Sequence, residues 1–206
     1  MSKSKTSNKS EALKEGVLVV ISAPSGCGKT STIDRLLKRH PEWTRSISAT
    51  TRAPRVGEKD GEDYFFMSTK DFKEMEVGGG FLETAQVFDN SYGTPKAPVM
   101  KALDEKRIML FAIDVQGMKK IKKALDSKLP LLTIFVLPPS VKILRERLEG
   151  RKTETPEQID KRIEMAQDEI KEAGHYEMTV LNQNLEQTVF DIETCIEKYQ
   201  KKRRVN

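Results

Sequence analysis

"VLVVISAPSGCGKTSTIDRLLKRHP", residues 17–41, begins apolar, turns through two glycines and continues with helical spacing. Val17–Ile21 is a short aliphatic run rich in β-branched residues. Such a run suits a strand buried on both faces of a parallel sheet. From Lys29 to Arg39 the apolar residues Ile33, Leu36 and Leu37 fall on one helical face, and His40-Pro41 ends the segment. Strand, glycine loop and helix together open an α/β fold.

The loop itself follows the phosphate-binding pattern G-x-x-x-x-G-K-[ST]. It reads Ala23-Pro24-Ser25-Gly26-Cys27-Gly28-Lys29-Thr30. Gly26 and Gly28 let the backbone bend until several N–H groups face one anion. The helix that starts near Lys29 adds its positive end. Lys29 is expected on the β- and γ-phosphates of a nucleotide, and the Thr30 hydroxyl on Mg²⁺. Ser31, next on the helix, joins the expected ATP-binding residues. Only the first glycine is replaced, by Ala23, which the loop tolerates where φ is negative.

Further along, "RIMLFAI" (107–113) and "LLTIFVL" (131–137) repeat the apolar signature, with "GMKKIKKAL" between them at helical spacing. That is a β-α-β unit, hence a parallel sheet with a right-handed crossover. Ser140 is placed to cap a helix reaching about Glu149, and Thr155 to cap another over 156–172 with Pro156 in its first turn. "MTVL" (178–181) reads as a last strand and 185–203 as a closing amphipathic helix. Residues 48–97 break the alternation and read as a small mixed α/β insertion.

Composition bounds the function. The chain has 206 residues, 37% of them hydrophobic and 33% charged, which fits one compact domain with a charged surface. No apolar run reaches the roughly 20 residues of a membrane helix, and the polar start "MSKSKTSNKS" lacks the core of a signal peptide. The reading is therefore cytoplasmic, without a membrane. The net charge is +5, but residues 1–15 carry +2 and residues 197–206 carry +4, which leaves −1 for the body between them. Basic ends on a near-neutral body argue against a nucleic-acid groove. Two distant cysteines, Cys27 and Cys195, do not make a disulfide framework. Cys27 lies near a helix N-terminus, where a thiol pKa can fall and oxidation can follow; the reading adopted is a small residue that fills a loop position.

A second constellation lies in the insertion. "SISATTRAPRVGEKDGEDYFF" offers Ser48, Arg52, Arg55 and Tyr64, "FLETAQVF" offers Glu83, and "NSYGT" offers Tyr92 and Thr94. Two arginines three residues apart can fork onto one phosphate, and tyrosine hydroxyls can add bonds to its other oxygens. With "SAPSGCGKT", "IDVQG", "PPS" and "RLEGRKTETPEQIDKR", these segments resemble guanylate kinases in order and spacing over roughly residues 16–200.

The resemblance implies an α/β, P-loop NTPase-type parallel sheet flanked by helices, with a GMP-binding insertion and a helical lid. The implied division is a basic tail (1–15), a core (16–47, 98–139 and 173–200), the insertion (48–97), the lid (140–172) and a second basic tail (201–206). It implies ATP-dependent phosphorylation of GMP, and of dGMP, in purine nucleotide metabolism, by a monomer or homodimer. It assigns Arg52, Arg55, Tyr64 and Tyr92 to the GMP phosphate, and Ser48, Glu83 and Thr94 to guanine. A carboxylate matches the adjacent N1–H and N2 amino donors of guanine and mismatches adenine. Lys29, Arg147, Arg151 and Arg162 are the expected catalytic cations, the last three on the lid. Asn182 falls where the adenine of ATP is expected.

The sequence also departs from the family's pattern. Ala112 stands where an Asp-x-Asp pair is common, so that only Asp114 remains, to orient Arg52, the metal's waters or the guanine. "NQN" at 182–184 replaces the usual Asn-Asp-Asp. Three other readings compete: a peptide-binding scaffold domain, a P-loop kinase for another acceptor, and a nucleic-acid-dependent ATPase. The intact Gly28-Lys29-Thr30, the Glu83–Ser48 pair and the near-neutral body argue against them in turn.

Overall fold

The computed structural model describes residues 15–24, 26–87, 89–125, 127, 129–150 and 155–205. The expected tail at 1–14, Ser25 and Arg151 lie outside the described residues. In chain order the elements are β1 (Val17–Ser22), α1 (Lys29–Arg39), β2 (Thr44–Arg45), β3 (Ala49–Thr50), β4 (Phe65–Phe66), α2 (Thr69–Val77), β5 (Phe81–Val87) and β6 (Asn90–Pro95). They continue as α3 (Lys96–Asp104), β7 (Ile108–Ala112), α4 (Val115–Ala124), β8 (Leu131–Leu137), α5 (Val141–Glu149), α6 (Pro156–Lys171), β9 (Met178–Leu181) and α7 (Leu185–Val205).

Five parallel strands form the main sheet in the order β2-β7-β1-β8-β9. β1 is central, so every one of its residues is buried. Alternate side chains of a strand point to opposite faces. Val17, Val19 and Ile21 accordingly join a core with Ile33 of α1, Leu144 and Leu148 of α5, Ile163 of α6 and Ile192 of α7. Leu18 and Val20 join the other core, with Val99 of α3 and Met118 and Ile121 of α4. The sheet is thus covered on both sides, which is why its strands read as unbroken apolar runs. β1 leads towards β2 on one side, and the β7–α4–β8 crossover passes to the other. The carboxyl ends of the strands at such a switch are where open α/β sheets bind ligands.

The insertion forms its own four-stranded sheet in the order β4-β3-β6-β5, in which only β3 and β4 pair in parallel. Its small core is aromatic: Phe72 of α2 stacks on Phe81 of β5 at 4.6 Å between ring centroids. Gly93 lets Phe81 lie on β6, since a Cβ there would come within 2.8 Å of that ring. The two sheets share no strand. Lys120 of α4 ties them by donating to the Thr84 carbonyl at 2.6 Å.

The long elements form where the pattern predicts them. Ser140 caps α5, and Thr155 with Gln158 builds a capping box on α6. Three features depart from the expectation. β2 is only two residues long and carries no pattern of its own. α3 is masked in the sequence by Pro95 and Pro98; Pro95 is the N-cap and Pro98 lies in the first turn, where proline is tolerated. Residues 201–205 are not a separate tail. They continue α7, and Arg203 pairs with Glu15 and lies 5.9 Å from the centroid of the Tyr199 ring.

Candidate active site

The turn between β1 and α1 needs both of its glycines. Gly26 has φ +90° and Gly28 has φ +80°. A Cβ on Gly26 would also lie 2.7 Å from Leu148 Cδ2. Gly28 is the N-cap of α1 and brings no capping oxygen, so no side chain there consumes the helix's first N–H groups. The loop borders a cavity of about 370 Å³, lined by Ala23, Pro24, Gly26, Gly28, Lys29, Thr30, Ser31, Asp114 and Glu169. Lys29 Nζ lies 3.3 Å from the Ile113 carbonyl, at the carboxyl end of β7. Burial holds its pKa below the ordinary lysine value, and the charges of Asp114 and Glu169 oppose that shift. Thr30 and Ser31 are exposed on the first turn of α1.

Glu169 was not anticipated from the sequence. It is one of several acidic residues on α6, and only the packing of α6 onto the core turns it towards the loop. Asp114 is the N-cap of α4 and accepts a bond from Gly117 N at 2.7 Å. Ala112 ends β7 with its side chain exposed.

Cys27 is a small residue packed into the loop, as expected from the sequence. It is fully buried, its Sγ lies 3.6 Å from the Val136 carbonyl, and burial pushes the thiol up to about 11. Desolvation outweighs the lowering by Arg147 and by the Asn182 bond.

In the insertion, Glu83 of β5 and Thr94 of β6 are cross-strand partners, and the fully buried Thr94 donates its hydroxyl to Glu83 Oε1 at 2.8 Å. Burial raises the Glu83 pKa, with the Thr94 bond and Lys120 opposing. Ser48 is half-buried beside this sheet, its carbonyl accepting from Phe65 N at 2.9 Å. Arg52 lies 5.4 Å from the centroid of the Tyr64 ring, and Tyr64 meets Tyr92 edge-on at 6.0 Å. Arg52, Tyr64 and Tyr92 therefore form one cluster, with the exposed Arg55 at its edge.

Glu58, in the acidic turn "GEKDGED", is the second residue missed. Its carboxylate accepts from Arg52 Nη2 at 2.8 and 2.9 Å and from the Arg55 backbone N–H at 2.7 Å. Neither its spacing nor a motif singles Glu58 out in the sequence.

Two of the expected lid arginines, Arg147 and Arg162, lie outside the loop cavity. Arg147 of α5 does not line the loop cavity; its Nη2 donates to the carbonyls of Asn182 at 3.1 Å and Gln183 at 3.4 Å. Arg162 is half-buried on α6 and also lies outside the cavity lining. Asn182 is 6% exposed, and its amide is engaged by the protein at both ends: Nδ2 donates to the Cys27 carbonyl at 2.6 Å, and Oδ1 accepts from the Thr188 hydroxyl at 3.0 Å.

Comparisons with known proteins bear on the family of the chain. The guanylate kinase family model matches residues 15–199. The chain is 44% identical to the guanylate kinase of Clostridioides difficile over 184 residues, 89% of this chain and 88% of that one. It is 42% identical to the guanylate kinase of Carboxydothermus hydrogenoformans over 193 residues, 93% of each chain. Among solved structures, the guanylate kinase of Anaplasma phagocytophilum superposes with a TM-score of 0.72 at 31% identity, covering 92% of this chain and 89% of that one.

Proposed function

We propose a division of labour among the residues of this chain from one premise: the chain belongs to the guanylate kinase family and phosphorylates GMP with ATP. The loop from Ala23 to Ser31 holds the ATP phosphates. Lys29 offsets charge between the β- and γ-groups. Arg52, Arg55, Tyr64 and Tyr92 hold the GMP phosphate, which attacks the γ-phosphorus. That nucleophile is already anionic, so the reaction needs no general base. Alignment and charge stabilisation supply the rate. Glu58 holds the Arg52 guanidinium beside the Tyr64 ring. Glu83, Thr94 and Ser48 read guanine, and Asp114 acts at the boundary between the two sites. Arg147, Arg151 and Arg162 act on the transferring phosphoryl once the lid (140–172) and the insertion (48–97) close and exclude water. dGMP is a second acceptor. The enzyme serves purine nucleotide metabolism in the cytoplasm, as a monomer or homodimer.

Among the described residues, no group of three or more His, Cys, Asp or Glu could hold a metal ion by itself. Mg²⁺ commonly binds through one or two protein oxygens together with substrate phosphates. The Thr30 hydroxyl and the Asp114 and Glu169 carboxylates, all on one cavity, are hard donors of that class. Bound with ATP, Mg²⁺ would supply charge neutralisation at the phosphates.

The observation that carries the acceptor reading is the Glu83–Thr94 pair, a carboxylate held on the same sheet as the arginine–tyrosine cluster. The test is ADP release from ATP and Mg²⁺ with GMP, dGMP, AMP, CMP or UMP, with Lys29→Ala as control. Turnover is expected with GMP and dGMP alone, and lower by about a hundredfold or more in the variant. Equal turnover with AMP would overturn the base reading.

A further inference from the structure

We propose that Asn182 is a positioning residue for the phosphate loop, acting through the Cys27–Gly28 peptide, and not a reader of the ATP base. The inference rests on the reading that residues 23–30 hold the ATP phosphates. Asn182 follows β9, and its backbone N–H donates to the Leu137 carbonyl at 2.8 Å, which extends the β8–β9 ladder by one bond. Its side chain is therefore anchored on the main sheet. From there Nδ2 donates to the Cys27 carbonyl at 2.6 Å. A carbonyl can only accept, so the amide nitrogen must face it. The Thr188 hydroxyl shares its single proton between Asn182 Oδ1 at 3.0 Å and the Asn184 carbonyl at 2.7 Å, and so supports the other end of the amide.

The consequence follows from peptide geometry. In a planar trans peptide the C=O and the next N–H point in opposite directions. Anchoring the Cys27 carbonyl to Asn182 therefore aims the Gly28 N–H away from Asn182. Gly28 lines the loop cavity and has φ +80°. Glycine exchanges readily between backbone regions, so this peptide could turn over at little cost if it were untethered. Turned over, it would present a carbonyl oxygen to a phosphate and remove a donor. The amide also packs directly on the loop, since a Cβ on Gly28 would lie 3.2 Å from Asn182 Nδ2. With 6% of its surface exposed and Nδ2 committed to the Cys27 carbonyl, Asn182 holds this peptide in its orientation.

A positioning residue acts on phosphate whatever base follows it, whereas a base reader does not. The experiment is calorimetric binding of inorganic tripolyphosphate, ATP and GMP to the full chain and its variants. Asn182→Ala is expected to weaken tripolyphosphate and ATP by the same factor, roughly five- to tenfold, with GMP affinity held within about twofold. A loss confined to ATP would make Asn182 a base reader and overturn the proposal. Unchanged binding of both phosphate ligands, or an equal loss for GMP, would overturn it too. Should Asn182→Ala fail to fold, Thr188→Val decides. It removes only the hydroxyl that orients the amide, and it should weaken tripolyphosphate where Thr188→Ser does not. Binding of Thr188→Val equal to that of the parent chain would refute the relay. Lys29→Ala separates the two levels: if it retains full tripolyphosphate affinity, the phosphate-loop reading itself fails.

Discussion

Glu83 combines a cost with its proposed use in reading guanine. Its carboxyl is half-buried and its pKa is raised, chiefly because burial disfavours the charged form. Guanine offers two donors, so the bound state needs the carboxylate. GMP affinity should therefore fall as pH drops through the raised pKa, at a higher pH than the ordinary glutamate value of about 4.3 would give. A GMP KM that stays flat down to that ordinary value would contradict this. Stability runs the other way. For an acid whose folded pKa is raised, the contribution to stability is complete below the unfolded pKa and is lost as pH rises through the folded pKa. Near neutral pH the empty enzyme thus carries an unfavourable charge. Glu83→Gln should raise its Tm while weakening GMP by roughly ten- to hundredfold. A lower Tm in that variant would show that the Thr94 bond outweighs desolvation.

At the scale of elements, the phosphate loop is held from three sides. Asn182 anchors the Cys27 carbonyl, Cys27 Sγ approaches Val136 O on β8, and Leu148 of α5 packs over Gly26. Loop and α5 therefore form one packed unit. Gly26→Ala would force an alanine to φ +90° and push its methyl to 2.7 Å from the fully buried Leu148. The expected loss of stability is about 1–3 kcal/mol, read as a lower denaturant midpoint with an unchanged slope. Leu148→Ala in the same background should relieve the steric part of that loss but not the backbone part. Complete relief would mean that the left-handed conformation costs nothing here. Elsewhere, element ends were legible because capping has a local signature: Ser140, Thr155 with Gln158, and Pro156 all work where the sequence puts them.

For the whole molecule, the two sheets are separate layers joined through short connections and the Lys120–Thr84 bond. Helices α5 and α6 are less free. Leu144, Leu148, Ile159 and Ile163 sit in the same core as β1. Closure should therefore come mainly from the insertion. Small-angle scattering with ADP, GMP and Mg²⁺ together should report a smaller radius of gyration than either nucleotide alone. An unchanged radius would sink the closing motion and leave the arginines to act from where they now stand.

By itself the sequence determined what local chemistry can encode. Apolar runs marked the strands covered on both faces, the glycines marked the tight turn between β1 and α1, and caps marked the helix starts. Matched motifs also marked the family. Tertiary structure decided which polar groups meet. Glu58 reaches Arg52 across a turn, Glu169 faces the loop because α6 packs on the core, and Asn182 turns inward to the Cys27 carbonyl. It also set the Cys27 thiol in a buried site, where desolvation exceeds the lowering by Arg147 and by the Asn182 bond. The physical reason is common to the last three. Backbone propensity and periodicity act over a few residues, whereas these partners and this burial are set by distant chain segments, 155 positions apart in the Asn182–Cys27 bond.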